Sequence, residues 1–394
     1  MSQQLISRSP DLKRLRDEGY DIEIRAGHLL MKQVPYLNAQ TEIRYGVLVS
    51  ELSLVGDVTT TPSNHVAHFS GEYPCRRDGS AIDQIRNQSA KTRLAQELEI
   101  DHTFSSKPTS GRYADYYEKL TTYAAIISSP AQSLDPRMTA KTFPVIEAAA
   151  AESVFNYIDT ASSRAGIALV TARLETGKIA IVGLGGSGSY VLDFVAKTPV
   201  KEIHLFEGDP FLQHNAFRSP GAPSIDELRQ KPSKAAYWQN QYSAMRRGII
   251  THEEFIDASN IDELRAMDFV FLCLDSGPAR RLIIDTLEAA GIGFIDVGMG
   301  IYLADESLGG IVRVTTSTPE QRDHVRGNGR ISFGESGGNN EYSTNIQIAE
   351  LNALNAALAV IKWKKLRGFY SDLEKEHHTT YTIDGNMLIN DDRK

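Results

Sequence analysis

The run Lys178-Ile-Ala-Ile-Val-Gly-Leu-Gly-Gly-Ser-Gly-Ser189 constrains this 394-residue chain more than any other stretch. Residues 179–182 are continuously apolar, as a strand buried on both faces should be. Gly183, Gly185, Gly186 and Gly188 follow, and then an apolar helical segment over 190–196. Glycines let the backbone approach an anionic ligand. The helix behind them offers unpaired N–H groups and the positive end of its dipole. This is a strand, a phosphate loop and a helix. The loop alone does not separate NAD from ATP.

Composition fixes the broad class. The chain is 41% hydrophobic and 23% charged, the balance of a globular protein, and its length predicts two domains. A net charge of −8 argues against nucleic acid or an anionic membrane as partner. No apolar run approaches the ~20 residues of a membrane span, and the first residues have no apolar signal core. The two cysteines, Cys75 and Cys273, make no disulfide framework. They predict a reducing, cytoplasmic setting and exclude a four-cysteine zinc site.

A boundary is predicted near residue 150, with an accessory α+β domain at 1–150 suited to partner recognition. There, 22–30 and 45–54 pattern as strands, 65–75 as a strand entering a turn, 81–88 as a short helix and 112–127 as a longer one. Two prolines make 128–137 a connector, and a helix over 145–157 leads into the second domain, 151–394. Its elements alternate: strand 179–182, helix 188–196, strand 201–206, helix 233–247, strand 250–256, helix 260–266, strand 268–274, helix 278–290, strands 292–297 and 309–315, helix 345–366. This predicts an α/β fold with a Rossmann-like, mostly parallel sheet covered on both faces. Residues 325–344, rich in glycine, asparagine and serine, are predicted to be a mobile loop.

The chemistry follows from what lies after the glycines. The second strand ends in Phe206-Glu207-Gly208-Asp209, and a carboxylate roughly 20 residues past the loop bonds a ribose hydroxyl in any nucleotide-binding fold of this kind. Asn215, Arg218 and Lys234 come next. Two cations and an amide at the sheet's carboxyl edge suit a triphosphate better than a bridging pyrophosphate. Asp275 closes the apolar run 269–274, a natural place for a Mg²⁺ ligand. It could equally cap the helix that starts at Pro278.

The set Gly183-x-Gly185-Gly186-x-Gly188, Glu207-x-Asp209, Asn215-x-x-Arg218, Lys234, Asp275 and Arg280 resembles the ThiF/MoeB-type ubiquitin-activating adenylyltransferase family over about 151–370. The runs Gly309-Gly-Ile-Val-Arg-Val and Asn345-Ile-Gln-Ile-Ala-Glu-Leu-Asn-Ala-Leu-Asn-Ala add to the likeness. The resemblance implies a ThiF-like adenylation fold that binds ATP and Mg²⁺ and the exposed C-terminal tail of a ubiquitin-like protein, and joins the tail to AMP. By the same resemblance Glu207 holds ribose, with Asp209 beside it; Arg218 and Lys234 neutralise the phosphates, Asn215 orients them and Asp275 holds Mg²⁺. Arg164, upstream of the loop, is the counterpart of an arginine that reaches a partner subunit's γ-phosphate, which implies a homodimer. The setting implied is a bacterial ubiquitination-like pathway, such as antiviral defence, with a conjugating-enzyme-like partner.

Thioester-forming members keep a cysteine in the crossover loop or an added domain, and this chain has none after Cys273. The adenylate is therefore expected to pass directly to a partner, or to an oxyester on a loop serine (Ser332, Ser336 or Ser343), ahead of Cys75. Arg76 and Arg77 would lower a Cys75 thiol's pKa, although a plain turn cysteine is the favoured reading. Cys273 reads as a small core residue, and His377 and His378 as solvated tail residues. The cations Lys362, Lys364, Lys365 and Arg367 read as the last turn of a helix. Other readings stay open: an NAD(P)-dependent oxidoreductase, a sulfur-carrier-protein adenylyltransferase, and an inactive half of a heterodimer.

Overall fold

The computed structural model describes residues 2–151, 153–333 and 346–393. Its contacts divide the chain into two units, Met1–Ile146 and Glu147–Lys394.

The first unit is built on an antiparallel sheet. Its strands are β1 (Ile22–Arg25), β2 (His28–Leu37), β3 (Ile43–Glu51), β6 (Val66–Ser70), β7 (Arg86–Ala95) and β8 (Leu98–Ser105), in the order β1-β2-β3-β6-β8-β7. A small hairpin, β4 (Leu54–Val55) and β5 (Val58–Thr59), stands apart. Residues 22–30, read as one strand, turn back at Ala26 and Gly27, both with positive φ, and become a hairpin. The helix Tyr116–Leu134 presents Tyr116, Leu120, Tyr123, Ala124, Ile127 and Ala131 to the core. Asp115 caps it by accepting from the Glu118 N–H at 2.7 Å. Two of its tyrosines also make polar contacts: Tyr116 Oη accepts from Ser53 N–H and Tyr123 Oη from Ser106 N–H, each at 2.6 Å.

Two further expectations fail in this unit. The helix runs through Pro130 to Leu134 instead of yielding to a connector at 128. An interior proline costs about 3 kcal/mol, but stopping there would strip Ile127 and Ala131, both fully buried, of their cover. Residues 81–88 are a single turn of 3-10 helix, Asp83–Ile85, opening directly into β7.

The second unit carries an eight-stranded sheet. Its parallel part consists of β9 (Lys178–Val182), β10 (Glu202–Phe206), β11 (Ile249–His252), β12 (Phe269–Leu272) and β13 (Gly293–Ala304), ordered β11-β10-β9-β12-β13. Beyond β13, strands β14 (Ser307–Ser317), β15 (His378–Thr382) and β16 (Met387–Asp391) join antiparallel. Alternate residues of β9 feed opposite faces. Ile179 and Ile181 pack with the helices Gly186–Ala196 and Ala349–Leu366, while Ala180 and Val182 pack with Gly277–Ala290. Burial on both faces is why the strand reads as an unbroken apolar run.

Here too the structure departs from expectation. Among the described residues, 145–157 form no helix. Glu147 bridges to Tyr157 and Phe155 to Arg246, so the backbone of this alanine-rich segment is spent on lateral pairing. His377 and His378 are 5% and 4% exposed, because the residues after the last helix return as β15 and complete the sheet. Lys362 is buried as well, its Nζ 2.9 Å from Asp372. The predicted loop 325–344 begins inside a short helix, Asp323–Gly327; its greater part lies outside the described residues. Among the described residues no helix is long and apolar enough to cross a membrane.

Candidate active site

The site is assembled where β9, β10 and β12 end. Gly183 has φ +88°, and a Cβ there would stand 2.5 Å from the Cys273 carbonyl oxygen. A Cβ on Gly188 would run into the Gly183 carbonyl, and one on Gly186 into the Asn352 amide. These three glycines bring the loop, the helix Gly186–Ala196 and the segment after β12 into contact. Gly185 differs: a Cβ there would meet nothing within 4 Å. It forms the helix N-cap with no side-chain hydrogen bond, so the first N–H groups of the helix are left for a ligand.

Glu207, at the end of β10, is 5% exposed. Its Oε2 accepts from the Leu184 N–H at 2.8 Å and its Oε1 from the Asp209 N–H at 3.0 Å. The longer arm of glutamate thus reaches back and fixes the glycine loop. Lys234 opens the helix Lys234–Ser243, behind the capping Ser233. Its Nζ lies 2.9 Å from Asp209 Oδ2 and 3.4 Å from Glu207 Oε2, with the lysine buried. Glu207, Asp209, Lys234 and the loop therefore form one cluster, and the ammonium keeps one of its three hydrogens for a further acceptor.

Asn215 lies in the short helix Gln213–Ala216, and its Oδ1 accepts from the Leu212 N–H at 2.8 Å. Its amide oxygen is committed to its own turn. Arg218 follows, half-buried, and its Nε is buried with no hydrogen-bond partner. A guanidinium N–H in that state fits an anion. The Arg218 carbonyl accepts from Asn352 Nδ2 at 3.2 Å, while Asn352 Oδ1 accepts from Ser187 Oγ at 3.0 Å. Asn352 thereby ties Arg218 to the first turn of the loop helix. The residue-by-residue reading gave it no role. Its signal is an asparagine inside an apolar helical run, which needs buried partners.

Asp275 is exposed, three residues beyond the end of β12. The cap of Gly277–Ala290 is Ser276, whose Oγ accepts from the Ala279 N–H, so the capping alternative for Asp275 fails. The turn before it is held from below. Arg280 donates to the Leu274 carbonyl and its Nε is 2.9 Å from Asp296 Oδ1. Asp296 is wholly buried on β13 and also accepts from Arg313 Nη2 at 2.6 Å. Two arginines on one carboxylate make that burial tolerable. Arg164 is exposed at the end of the helix Thr160–Arg164. Ser336 and Ser343 lie outside the described residues, and Ser332 is exposed.

Neither thiol is set up as a nucleophile. Burial pushes the Cys75 thiol's pKa up and Glu72 adds to the rise, so the flanking arginines do not activate it. Its Sγ donates to the Tyr73 carbonyl at 3.3 Å. Burial raises the Cys273 thiol's pKa further, with Asp296 contributing.

Comparison with known proteins separates the chain into the same order of parts. Residues 10–160 match a domain of unknown function, DUF6791, and residues 161–321 match the ThiF family. Similar solved structures include PaaA, at 17% identity over 57% of this chain and 66% of that one, with a TM-score of 0.44. They also include E. coli MccB with MccA-N7isoASN, at 17% identity over 59% and 69% with a TM-score of 0.45. E. coli MccB with ATP stands at 16% identity over 59% and 69%, TM-score 0.44. This chain thus spans about two thirds of the length of those proteins. No curated protein matches it. Behind an N-terminal DUF6791 domain, the chain carries a ThiF-family domain over residues 161–321.

Proposed function

We propose that this protein uses ATP to adenylate the C-terminal carboxylate of a ubiquitin-like protein, in a bacterial ubiquitination-like pathway such as antiviral defence. The observation that carries the reading is the Arg218 guanidinium. Its Nε is buried without an acceptor, while Asn352 fastens the same residue to the helix whose N-terminus is open at Gly185. That arrangement calls for a phosphate.

In this reading the triphosphate lies along the glycine loop, with Arg218 and the remaining Lys234 hydrogen on its oxygens. Glu207 keeps the loop in shape and offers its spare lone pairs to ribose, next to Asp209. Asn215 holds the turn that delivers Arg218. Asp275, exposed and oxygen-bearing, suits Mg²⁺, which supplies charge neutralisation for the departing pyrophosphate. The tail carboxylate oxygen bonds to the α-phosphorus and the α–β bridging bond breaks, giving acyl-adenylate and pyrophosphate. The protein's part is positioning and charge complementarity. The raised pKa of both thiols favours direct hand-off to a conjugating-enzyme-like partner, or an oxyester on Ser336, over a thioester. Arg164 would act on the γ-phosphate in a partner copy, making the active unit a homodimer.

ATP–pyrophosphate exchange tests this, with a ubiquitin-like protein bearing a free C-terminal tail as acceptor. Exchange is expected for the native chain, with losses of roughly 100-fold in Arg218→Ala and Asp275→Ala. Equal exchange in all three, or NAD⁺ displacing ATP from the native chain, overturns the assignment.

A further inference from the structure

We propose that Phe255 is a stacking platform for a purine base and sets the nucleotide preference of this site. The inference rests on the nucleotide reading above and names the side chain that tells one class of base from another. Phe255 follows β11, in the run His252-Glu-Glu-Phe-Ile-Asp257, and its side chain is 63% exposed.

A lone exposed aromatic is ordinary. This one is set apart by how its backbone is held and by what lies under its ring. The next residue, Ile256, is buried in one cluster with Val182 and Phe206, against which Leu274 also packs. These residues mark the ends of β9 and β10 and the segment just past β12. The chain leaving β11 therefore folds back across the carboxyl end of the sheet, where open α/β sheets bind their ligands. Asn260, itself buried, clamps the turn. Its Nδ2 donates to the Phe255 carbonyl and its Oδ1 accepts from the Asp257 N–H, both at 2.9 Å. The backbone is fixed and the ring is left in water.

That ring lies against Gly208, the residue between Glu207 and Asp209. A Cβ built on Gly208 would stand 2.8, 2.9 and 3.0 Å from Cε2, Cδ2 and Cζ of Phe255. Nearly equal distances to three successive ring atoms put the glycine over the face of the ring, not at its edge. Gly208 has no left-handed φ, so the ring, and not the turn, is what requires a glycine there. One face of Phe255 thus rests on the backbone that joins the two carboxylates, and the other faces solvent.

With phosphates on the loop after β9 and ribose at the end of β10, the base falls beyond the ribose, on the β11 side. An aromatic face at that place offers stacking, and a bicyclic purine covers more of it than a pyrimidine does. The preference then needs no hydrogen bond to the base.

The test is calorimetric titration of the full chain with ATP, CTP and inorganic tripolyphosphate, each with Mg²⁺ and without a ubiquitin-like protein. The native chain is expected to bind ATP about 10-fold more tightly than CTP. Phe255→Ala should bind ATP about 10-fold more weakly, with the ATP-to-CTP ratio falling toward one and tripolyphosphate binding unchanged. Phe255→Tyr should keep the preference, and Gly208→Ala, whose methyl pushes the ring aside, should reduce it. Circular dichroism checks that each variant folds, as exchange of an exposed side chain should allow. A purely structural role would weaken all three ligands together in Phe255→Ala, and that result overturns the proposal. So does a native chain that binds ATP and CTP equally, or a Phe255→Ala chain that keeps the native ratio. Purine preference that depends on Phe255, in a chain without pyrophosphate exchange, would instead strike the adenylation reading and leave the base platform standing.

Discussion

Single atoms decide what the glycine loop tolerates. At Gly188 an added Cβ meets the Gly183 carbonyl and, at 3.1 Å, the Cys273 side chain; the backbone cannot step aside. At Gly185 the same Cβ meets nothing within 4 Å. Gly188→Ala is therefore expected to cost about 2 kcal/mol of stability, as overpacking does, while Gly185→Ala costs at most about 1 kcal/mol. Gly185→Ala should nevertheless weaken ATP binding about 10-fold, because the new methyl occupies the ligand's space. Urea titrations beside ATP titrations separate the two effects; equal loss of stability in both variants would refute the distinction. A second residue-scale prediction concerns Lys119, which is 1% exposed. Burial drives its pKa down to about 8, and its Nζ donates to Ser50 Oγ at 2.9 Å. Because the folded value is depressed, the penalty for holding the charge is full below about pH 8 and fades as pH rises toward the unfolded value. Lys119→Met should thus stabilise the chain by about 2 kcal/mol at pH 7. The gain should shrink toward pH 10, readable as converging denaturation midpoints.

The helix Gly186–Ala196 owes its position to both ends, and the two ends differ in how visible they are from sequence. Its start is written in the glycines. Its end is held by Arg246, 1% exposed, whose guanidinium donates to the carbonyls of Ala196, Thr198 and Val200, and whose Nε donates to Arg247. Burial lowers the Arg246 pKa to about 10, so it remains charged at neutral pH. A cation over a helix C-terminus is also favourable for the dipole. Arg246→Lys cannot span that set of carbonyls and should cost about 3 kcal/mol, with ATP affinity falling as the loop loses its anchor. Denaturation of the variant checks this; a loss under about 0.5 kcal/mol would contradict it. The same contrast runs through the fold. The parallel strands were legible because burial on both faces leaves an unbroken apolar run, and Glu207, Arg218 and Lys234 were legible as spaced charges. Asn352, Arg246 and the Arg280–Asp296–Arg313 set were not, because their partners lie far away in sequence and come together only in the fold. The segment 145–157 misled for a related reason: alanines favour helix locally, but its backbone is claimed by Arg246 and its neighbours. Strand β15 hid because His378, Thr379 and Thr380 are polar, although pairing with β14 buries the histidine.

Across the whole molecule, buried histidines give the stability a direction in pH. Burial holds His68, His102, His324, His377 and His378 below the ordinary histidine value. His378 is the extreme case, at about 4, with Arg330 and Arg313 adding to the effect of burial. Its Nδ1 lies 3.0 Å from Thr315 Oγ1 in a wholly protein environment. In the unfolded chain each imidazole takes its proton near pH 6.5, while in the fold it resists. The unfolded state therefore binds more protons between the two values, and stability falls as pH falls. The contribution is intact above about pH 6.5. At pH 5 His378 alone should have lost on the order of 2 kcal/mol. The carboxylates whose values are depressed by ion pairs, such as Glu18 and Asp392, give way only below their ordinary range near pH 4, and Glu288, raised by burial, works in the opposite direction, so a fall in stability between pH 6.5 and 5 belongs to the histidines. Denaturant unfolding of the full chain at pH 7 and pH 5 should show a marked drop at the lower pH, and His378→Gln should flatten it. A chain equally stable at both, or a variant with the native slope, would mean that these rings accept protons without cost in the fold.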